Sequence, residues 1–130
     1  MNFIFNDGGR KEAGFKGNAG DCSVRAIAIA IGMDYKTAYK LIATANQNNG
    51  KGRSARRGID KDLYSDVLKT LGWVWNPSPK FIGRKAKCKD MPIGTVIARQ
   101  AGHYVAVIDG IPQDIWDCSH KMVYGFWAKK

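Results

Sequence analysis

The sequence lacks an apolar run long enough to cross a bilayer, which takes roughly 18 consecutive apolar residues. It also lacks an N-terminal basic stretch followed by an apolar one, so we expect no secretion signal and no membrane partner. Internal repeats and low-complexity tracts are absent. These absences, with a hydrophobic content of 45%, favour a single folded domain over residues 1–130.

Cysteines are few, and their number is odd: Cys22, Cys88 and Cys118. Without a secretion signal, an odd count predicts free thiols in a reducing compartment, which here is the cytoplasm. Cys118 and His120 have no Cys-x-x-Cys partner, so the sequence predicts no metal site. We expect no cofactor.

The sequence has fewer acidic than basic residues: 11 Asp and Glu and 21 Lys and Arg, which give a net charge of +10. Much of the excess falls in two stretches, 48–58 and 80–89. A basic surface suggests nucleic acid or an acidic protein as a partner, although neither stretch carries a known nucleic-acid motif. The candidate binding residues are Lys51, Arg53, Arg56, Arg57, Arg84, Lys85 and Lys87.

Apolar spacing predicts helices first and strands afterwards, which indicates an α+β fold with a mostly antiparallel sheet. The predicted helices cover 22–31, 35–46 (capped by Asp34) and a third segment from its cap at Asp60 to Leu71. Gly, Asn and Ser predict a mobile basic loop at about 46–58. A short strand is predicted at 3–5 and further strands at 73–76, 94–99, 103–108, 111–116 and 122–127.

Cys22 stands where a glycine-rich polar segment meets a buried helix, in GNAGDCSVRAIAIAIG (17–32). A helix N-terminus favours a thiolate through its free N–H groups and its dipole. A thiol nucleophile also needs a base, and the base needs an acceptor that orients it. His103 begins a predicted strand, and Asp114 and Asp117 follow it. The sequence therefore predicts a Cys–His–Asp site.

This order of residues resembles that of the papain-like cysteine peptidase superfamily, with the cysteine at the start of the central helix and the histidine at the start of a strand. The segments AGDCSVRAIAIAIG and GHYVAVIDGIPQDIWD are together most similar to small uncharacterised phage and prophage proteins of that type. The resemblance implies a papain-like domain with Cys22 as nucleophile and His103 as base. It also implies a peptide or protein substrate and a phage-encoded protein in the host cytoplasm.

The third residue depends on the turn after the His103 strand. A two-residue turn at Asp109-Gly110 places Asp114 on the face of the sheet that carries His103. A three-residue loop with a glycine bulge places Asp117 there instead. The superfamily's third residue usually follows the histidine at the longer spacing, so the resemblance favours Asp117, with Asp114 as the alternative.

The resemblance also shows a departure at the oxyanion site. Many members bind the oxyanion through a Gln amide at the position that holds Lys16 here. The oxyanion candidates here are Asn18, which offers an amide, and Lys16 itself, which offers charge rather than an oriented donor. The Cys22 backbone N–H offers another donor. We therefore expect a cysteine peptidase, amidase or related acyl-transfer enzyme. The alternative is an inactive papain-like binding protein that engages nucleic acid or an acidic host protein through its basic loops.

Overall fold

The predicted order of helices followed by strands is confirmed in the computed structural model, which describes residues 2–16, 20–52 and 54–130. Within these ranges, three α-helices pack on a six-stranded, mostly antiparallel sheet, so the fold is α+β. The helices are α1 (Cys22–Ile27), α2 (Tyr35–Asn48) and α3 (Lys61–Thr70). The strands are β1 (Ile4–Phe5), β2 (Trp73–Pro77), β3 (Thr95–Gln100), β4 (His103–Ile108), β5 (Ile111–Asp114) and β6 (Gly125–Lys129).

The helix at Cys22 differs from its prediction in its second half. After Ile27 the chain continues as a π-helix, Ala28–Gly32, and Gly32 ends it with a positive φ of 81°. Apolar residues occur on all sides of this segment, so its periodicity could not distinguish the wider turn from an α-helix. No helix in the described ranges is both long and apolar enough to span a membrane.

The two predicted caps behave differently. The Asp34 carboxylate accepts from the Thr37 backbone N–H at 3.3 Å and so caps α2. Asp60 occupies the N-cap position of α3, but its side chain makes no capping hydrogen bond. It pairs instead with Lys51 Nζ at 3.5 Å, which ties the start of α3 to the preceding loop.

The sheet has the strand order β1-β5-β4-β3-β6-β2. β1 pairs with β5 in parallel, and the other neighbours are antiparallel. Val107 pairs with Pro112 and Ile108 with Ile111, so Asp109-Gly110 is a two-residue turn. Both turn residues have positive φ, 51° and 80°, as this tight hairpin requires.

Apolar residues cover both faces of the sheet. On one face α1, α2 and α3 bury a cluster that includes Ile27, Ile42, Leu68 and Ile97. On the other face, a second cluster joins Val105 and Val107 to residues of the connecting segments, among them Cys88, Cys118 and Val123. The α1 helix therefore lies against the central strand β4 with its N-terminus near the start of that strand.

β6 begins at Gly125, three residues later than predicted. The backbone N–H groups of Val123 and Tyr124 donate to Ala86 and Arg99, so 122–124 forms the approach to the strand. Gly125 itself is required by packing, because a Cβ there would lie 2.2 Å from Trp75 Cζ2 and 2.8 Å from the Asn76 carbonyl oxygen. The Trp75 ring lies over Gly125, in the space that a Cβ would occupy, and packs on Trp127.

The basic loop between α2 and α3 is anchored to the helices. Asn46 Nδ2 donates to the carbonyls of Ser54 at 2.9 Å and Gly58 at 3.1 Å. Ala55 is fully buried. The loop predicted to be mobile therefore has fixed points at both ends of its second half.

We predict that Gly125→Ala lowers the free energy of unfolding by about 1–3 kcal/mol, because the added Cβ overlaps the Trp75 ring. Trp75→Leu removes the ring contact but leaves the contact with Asn76. The double variant should therefore lose less stability than the sum of the two single variants. Urea unfolding followed by circular dichroism measures all three, and strict additivity would contradict the packing argument.

Candidate active site

Cys22 is the first residue of α1 and is half-buried. Asp21 occupies the N-cap position, and its carbonyl accepts from the N–H groups of Val24 and Arg25. The buried Tyr64 hydroxyl donates to the Ser23 carbonyl at 2.9 Å, which fixes the start of α1 against α3. The first N–H groups of a helix lack intrahelical i−4 partners, so the N–H of Cys22 itself is a free donor beside its thiol.

His103 is the first residue of β4 and is buried, with 7% of its surface exposed. Its Nε2 forms a 2.6 Å hydrogen bond with Asp114 Oδ2. Its side chain also interacts electrostatically with the Cys22 thiol. Because Nε2 faces Asp114, Nδ1 is the nitrogen that remains for Cys22. The Trp116 ring packs on the imidazole with centroids 5.1 Å apart and holds its plane.

Asp114, the last residue of β5, occupies the position that the resemblance assigned to Asp117. The two-residue turn places it on the His103 face of the sheet, where it is 1% exposed. The Asp117 carboxylate lies beyond the strand and accepts from the Ser119 backbone N–H at 3.0 Å. The expectation that Asp117 supports His103 was therefore wrong about placement, because the turn, rather than the sequence spacing, sets the register.

Arg25 is a residue of the site whose role the sequence did not reveal. Its Nη1 donates to Asp114 Oδ1 at 2.5 Å and its Nε to Asp21 Oδ1 at 3.1 Å. The other oxygen of Asp21 accepts from the Tyr35 hydroxyl and pairs with Arg10 Nε at 3.1 Å. The sequence offered one signal for this role: Arg25 is the only charged residue in an otherwise apolar helix. A buried charge needs a partner of opposite charge.

The electrostatics favour a charged Cys22–His103 pair. Burial by itself raises the pKa of Cys22, but the hydrogen bond and charge of His103 outweigh it, so the pKa is lowered from 9.0. The Tyr104 backbone N–H supports the thiolate as well. Burial lowers the pKa of His103, yet hydrogen bonds to Asp114 and the two neighbouring thiols raise it well above 6.5. Burial raises the pKa of Asp114, and the interactions with His103 and Arg25 lower it overall.

The other two thiols lie behind this pair. Cys88 and Cys118 are fully buried, and the interaction with Cys88 together with burial raises the pKa of Cys118 well above its usual range. Cys118 Sγ also lies 3.5 Å from Asp114 Oδ2. Among the described residues, Cys22 alone therefore combines a lowered thiol pKa with exposure to solvent.

Donor atoms of His103, Asp114 and Cys118 lie within 4.8 Å of one another, a spacing that a metal ion can bridge. The chemistry of the three groups opposes one. Both carboxylate oxygens of Asp114 are already bonded, Oδ1 to the Arg25 cation and Oδ2 to His103 Nε2. The Arg25 guanidinium thus places a positive charge directly beside the position that a metal cation would occupy.

A cleft of about 250 Å³ opens beside the Cys22 thiol. One wall is formed by four residues before and at the start of α3: Arg57, Gly58, Ile59 and Lys61. The opposite wall is formed by the end of β3 and the start of β4: Arg99, Gln100, Gly102, His103 and Tyr104. The Lys16 side chain is exposed and does not line this cleft, although its carbonyl accepts from the guanidinium groups of Arg10 and Arg56. Asn18 lies outside the described residues. The Cys22 backbone N–H is thus the candidate oxyanion donor at the helix start.

The two basic stretches differ in their relation to the cleft. Arg57 lines it, Arg56 packs beside it on the Lys16 carbonyl, and Arg53 lies outside the described residues. In the second stretch Arg84 forms a two-pronged ion pair with Asp90, both distances being 2.8 Å. None of Arg84, Lys85 and Lys87 belongs to the cleft lining. Nucleic-acid binding by either stretch stays a prediction.

Comparisons with protein-family models, with curated proteins and with solved structures give no match for this chain. Neither the family nor the activity is established by likeness. The functional argument therefore depends on the geometry around Cys22, His103 and Asp114.

We predict that Asp114→Asn lowers the NMR-titrated pKa of His103 toward 6.5, because the imidazolium loses its carboxylate acceptor. Asp117→Asn is the matched control and should leave the His103 titration unchanged, since its carboxylate bonds Ser119. Circular dichroism checks that both variants are folded. A lowered His103 pKa in Asp117→Asn, with an unchanged pKa in Asp114→Asn, would instead identify Asp117 as the partner of His103.

We also predict that Cys22 reacts with iodoacetamide at pH 6, where an ordinary thiol is almost entirely protonated. The lowered pKa keeps Cys22 as thiolate below pH 9.0, and its reactivity is lost only as the pH falls through that lowered pKa. His103→Ala should slow this reaction about tenfold or more. Mass spectrometry locates the label, and faster labelling of Cys88 or Cys118 in the folded protein would contradict the site.

Proposed function

We propose that this protein is a cysteine-dependent acyl-transfer enzyme, a peptidase or amidase with a papain-like arrangement, in which Cys22, His103 and Asp114 form the triad. The observation that carries the proposal is the position of His103, which hydrogen-bonds the Asp114 carboxylate through Nε2 at 2.6 Å and lowers the pKa of the Cys22 thiol. The order of elements supports the papain-like assignment, since the nucleophile begins a helix and the base begins the neighbouring central strand.

In the first half-reaction the Cys22 thiolate attacks the substrate carbonyl carbon, and a C–S bond forms as the carbonyl π electrons move to oxygen. The Cys22 backbone N–H donates to that oxyanion. When the carbonyl re-forms, the C–N bond breaks and the leaving nitrogen takes the proton from His103 Nδ1. An amine departs, and a thioester on Cys22 remains beside a neutral imidazole.

In the second half-reaction the imidazole accepts a proton from water as the water oxygen attacks the thioester carbon. The C–S bond then breaks, and the thiolate and imidazolium are restored with a carboxylic acid as product. Asp114 keeps the imidazole oriented and stabilises its charged form throughout. An amine in place of water gives transfer instead of hydrolysis.

Free thiols suit this chemistry, because a disulfide would consume the nucleophile, and the three cysteines are unpaired. A reducing compartment such as the cytoplasm therefore agrees with the proposed mechanism. The substrate in this proposal is a peptide or protein.

The experiment is cleavage of a complex peptide mixture, with new termini identified by mass spectrometry. We expect peptides cleaved by the parent protein to be uncut by Cys22→Ala and cleaved at least about a hundredfold more slowly by His103→Ala. Asp117→Asn is the control and should cleave like the parent. Equal patterns for the parent and Cys22→Ala would overturn the proposal and favour a binding protein on the same fold.

A further inference from the structure

The walls of the cleft beside Cys22 carry cations. Arg57 and Lys61 line one wall, and Arg99 lines the other. Over the described residues no Asp or Glu lines the cleft, and none forms an ion pair with these three side chains. This contrasts with Lys51 and Arg84, whose charges are matched by neighbouring carboxylates.

The cationic wall is built into the site. Gly58 lies so close to the segment before Cys22 that a Cβ on it would approach the Gly20 carbonyl oxygen to 3.3 Å. The Gly58 carbonyl is held by Asn46, and Lys61 is the first residue of α3. The backbone that carries Arg57 and Lys61 is therefore fixed at the cleft, and their side chains are exposed to solvent.

We propose that the substrate is an acidic peptide, whose Asp or Glu carboxylates adjoin the bond cleaved at Cys22 and are bound by Arg57, Lys61 and Arg99. This inference rests on the proposed function. Guanidinium groups bind carboxylates through paired hydrogen bonds, and a cleft lined by one sign of charge concentrates anions.

The shape of the cleft favours a peptide over nucleic acid. A volume of about 250 Å³ accommodates a side chain or two beside the thiol, whereas single-stranded nucleic acid is bound along an extended groove with stacked bases. The thiolate also requires an acyl carbon, which a peptide supplies at every amide and a phosphodiester backbone lacks.

The first test compares the alkylation rates of Cys22 by anionic iodoacetate and neutral iodoacetamide; each forms a C–S bond and releases iodide. The iodoacetate-to-iodoacetamide ratio reports the local charge around the thiol. Arg57→Gln and Lys61→Gln should each lower this ratio about two- to threefold, and added salt should lower it in the parent protein. Lys80→Gln makes the same charge change outside the cleft and should leave the ratio unchanged.

The outcomes separate the inference from the proposed function. An unchanged ratio in Arg57→Gln and Lys61→Gln, with a normal iodoacetamide rate, overturns the acidic substrate and leaves the triad intact. If iodoacetamide labels Cys22 of the parent protein no faster than Cys88 or Cys118, the proposed function itself is overturned.

A second test is protection of Cys22 from iodoacetamide by poly-glutamate or by a single-stranded oligonucleotide of equal charge. Protection by poly-glutamate that is weakened at least about threefold in Arg57→Gln supports the inference. Protection by the oligonucleotide alone, or by neither polymer, overturns it.

Discussion

A buried chain of alternating charges connects the helices to the sheet and to the nucleophile. Successive members of the chain alternate between a positive and a negative group. In order they are Arg10, Asp21, Arg25, Asp114, His103 and Cys22. Three positive and three negative groups balance, which a protein interior demands because an unpaired buried charge costs several kcal/mol. Each charged group of the chain thus lies beside one of the opposite sign. The charges of His103 and Arg25 both lower the pKa of the Cys22 thiol, so Arg25 influences the thiol as well as bonding Asp114.

The same chain sets the geometry of the fold around the site. Arg25 lies one turn after Cys22 on α1 and bonds the last residue of β5, so the helix can approach the sheet in a single register. Tyr35 and Tyr64 hold the helix start from the other side through Asp21 and the Ser23 carbonyl. A nucleophile at a helix N-terminus needs such support, because an unfixed first turn frays and loses its alignment with the base.

Local signals in the sequence predicted the helices, most strands and the Cys22–His103 pairing, because apolar period and turn residues act over a few positions. The third residue needed the register of one hairpin. Asp109-Gly110 permitted two turns that differ by one residue, and a one-residue change moves every side chain to the other face. Family spacing favoured Asp117, whereas the backbone pairing of Val107 with Pro112 selects Asp114. Composition could not show that the loop with Arg57 lies beside Gly20, since that contact joins distant parts of the chain.

Within the described ranges, the charged groups of the interior are paired, whereas the cations at the cleft form no ion pairs. Inside, each charge has a partner, so the site is stable with its thiolate formed. At the cleft no ion pair joins Arg57, Lys61 or Arg99 to a carboxylate of the described residues, although Asp62 and Asp66 line a neighbouring pocket together with Lys61 and Arg99. Under the proposed function, these cations lie beside the thiol that reacts with substrate. A charge left in water costs little, and it gains most when a ligand carboxylate displaces that water in a confined space. Part of the excess of basic residues in the sequence is therefore concentrated at the cleft, and the net charge of the chain does not show this position.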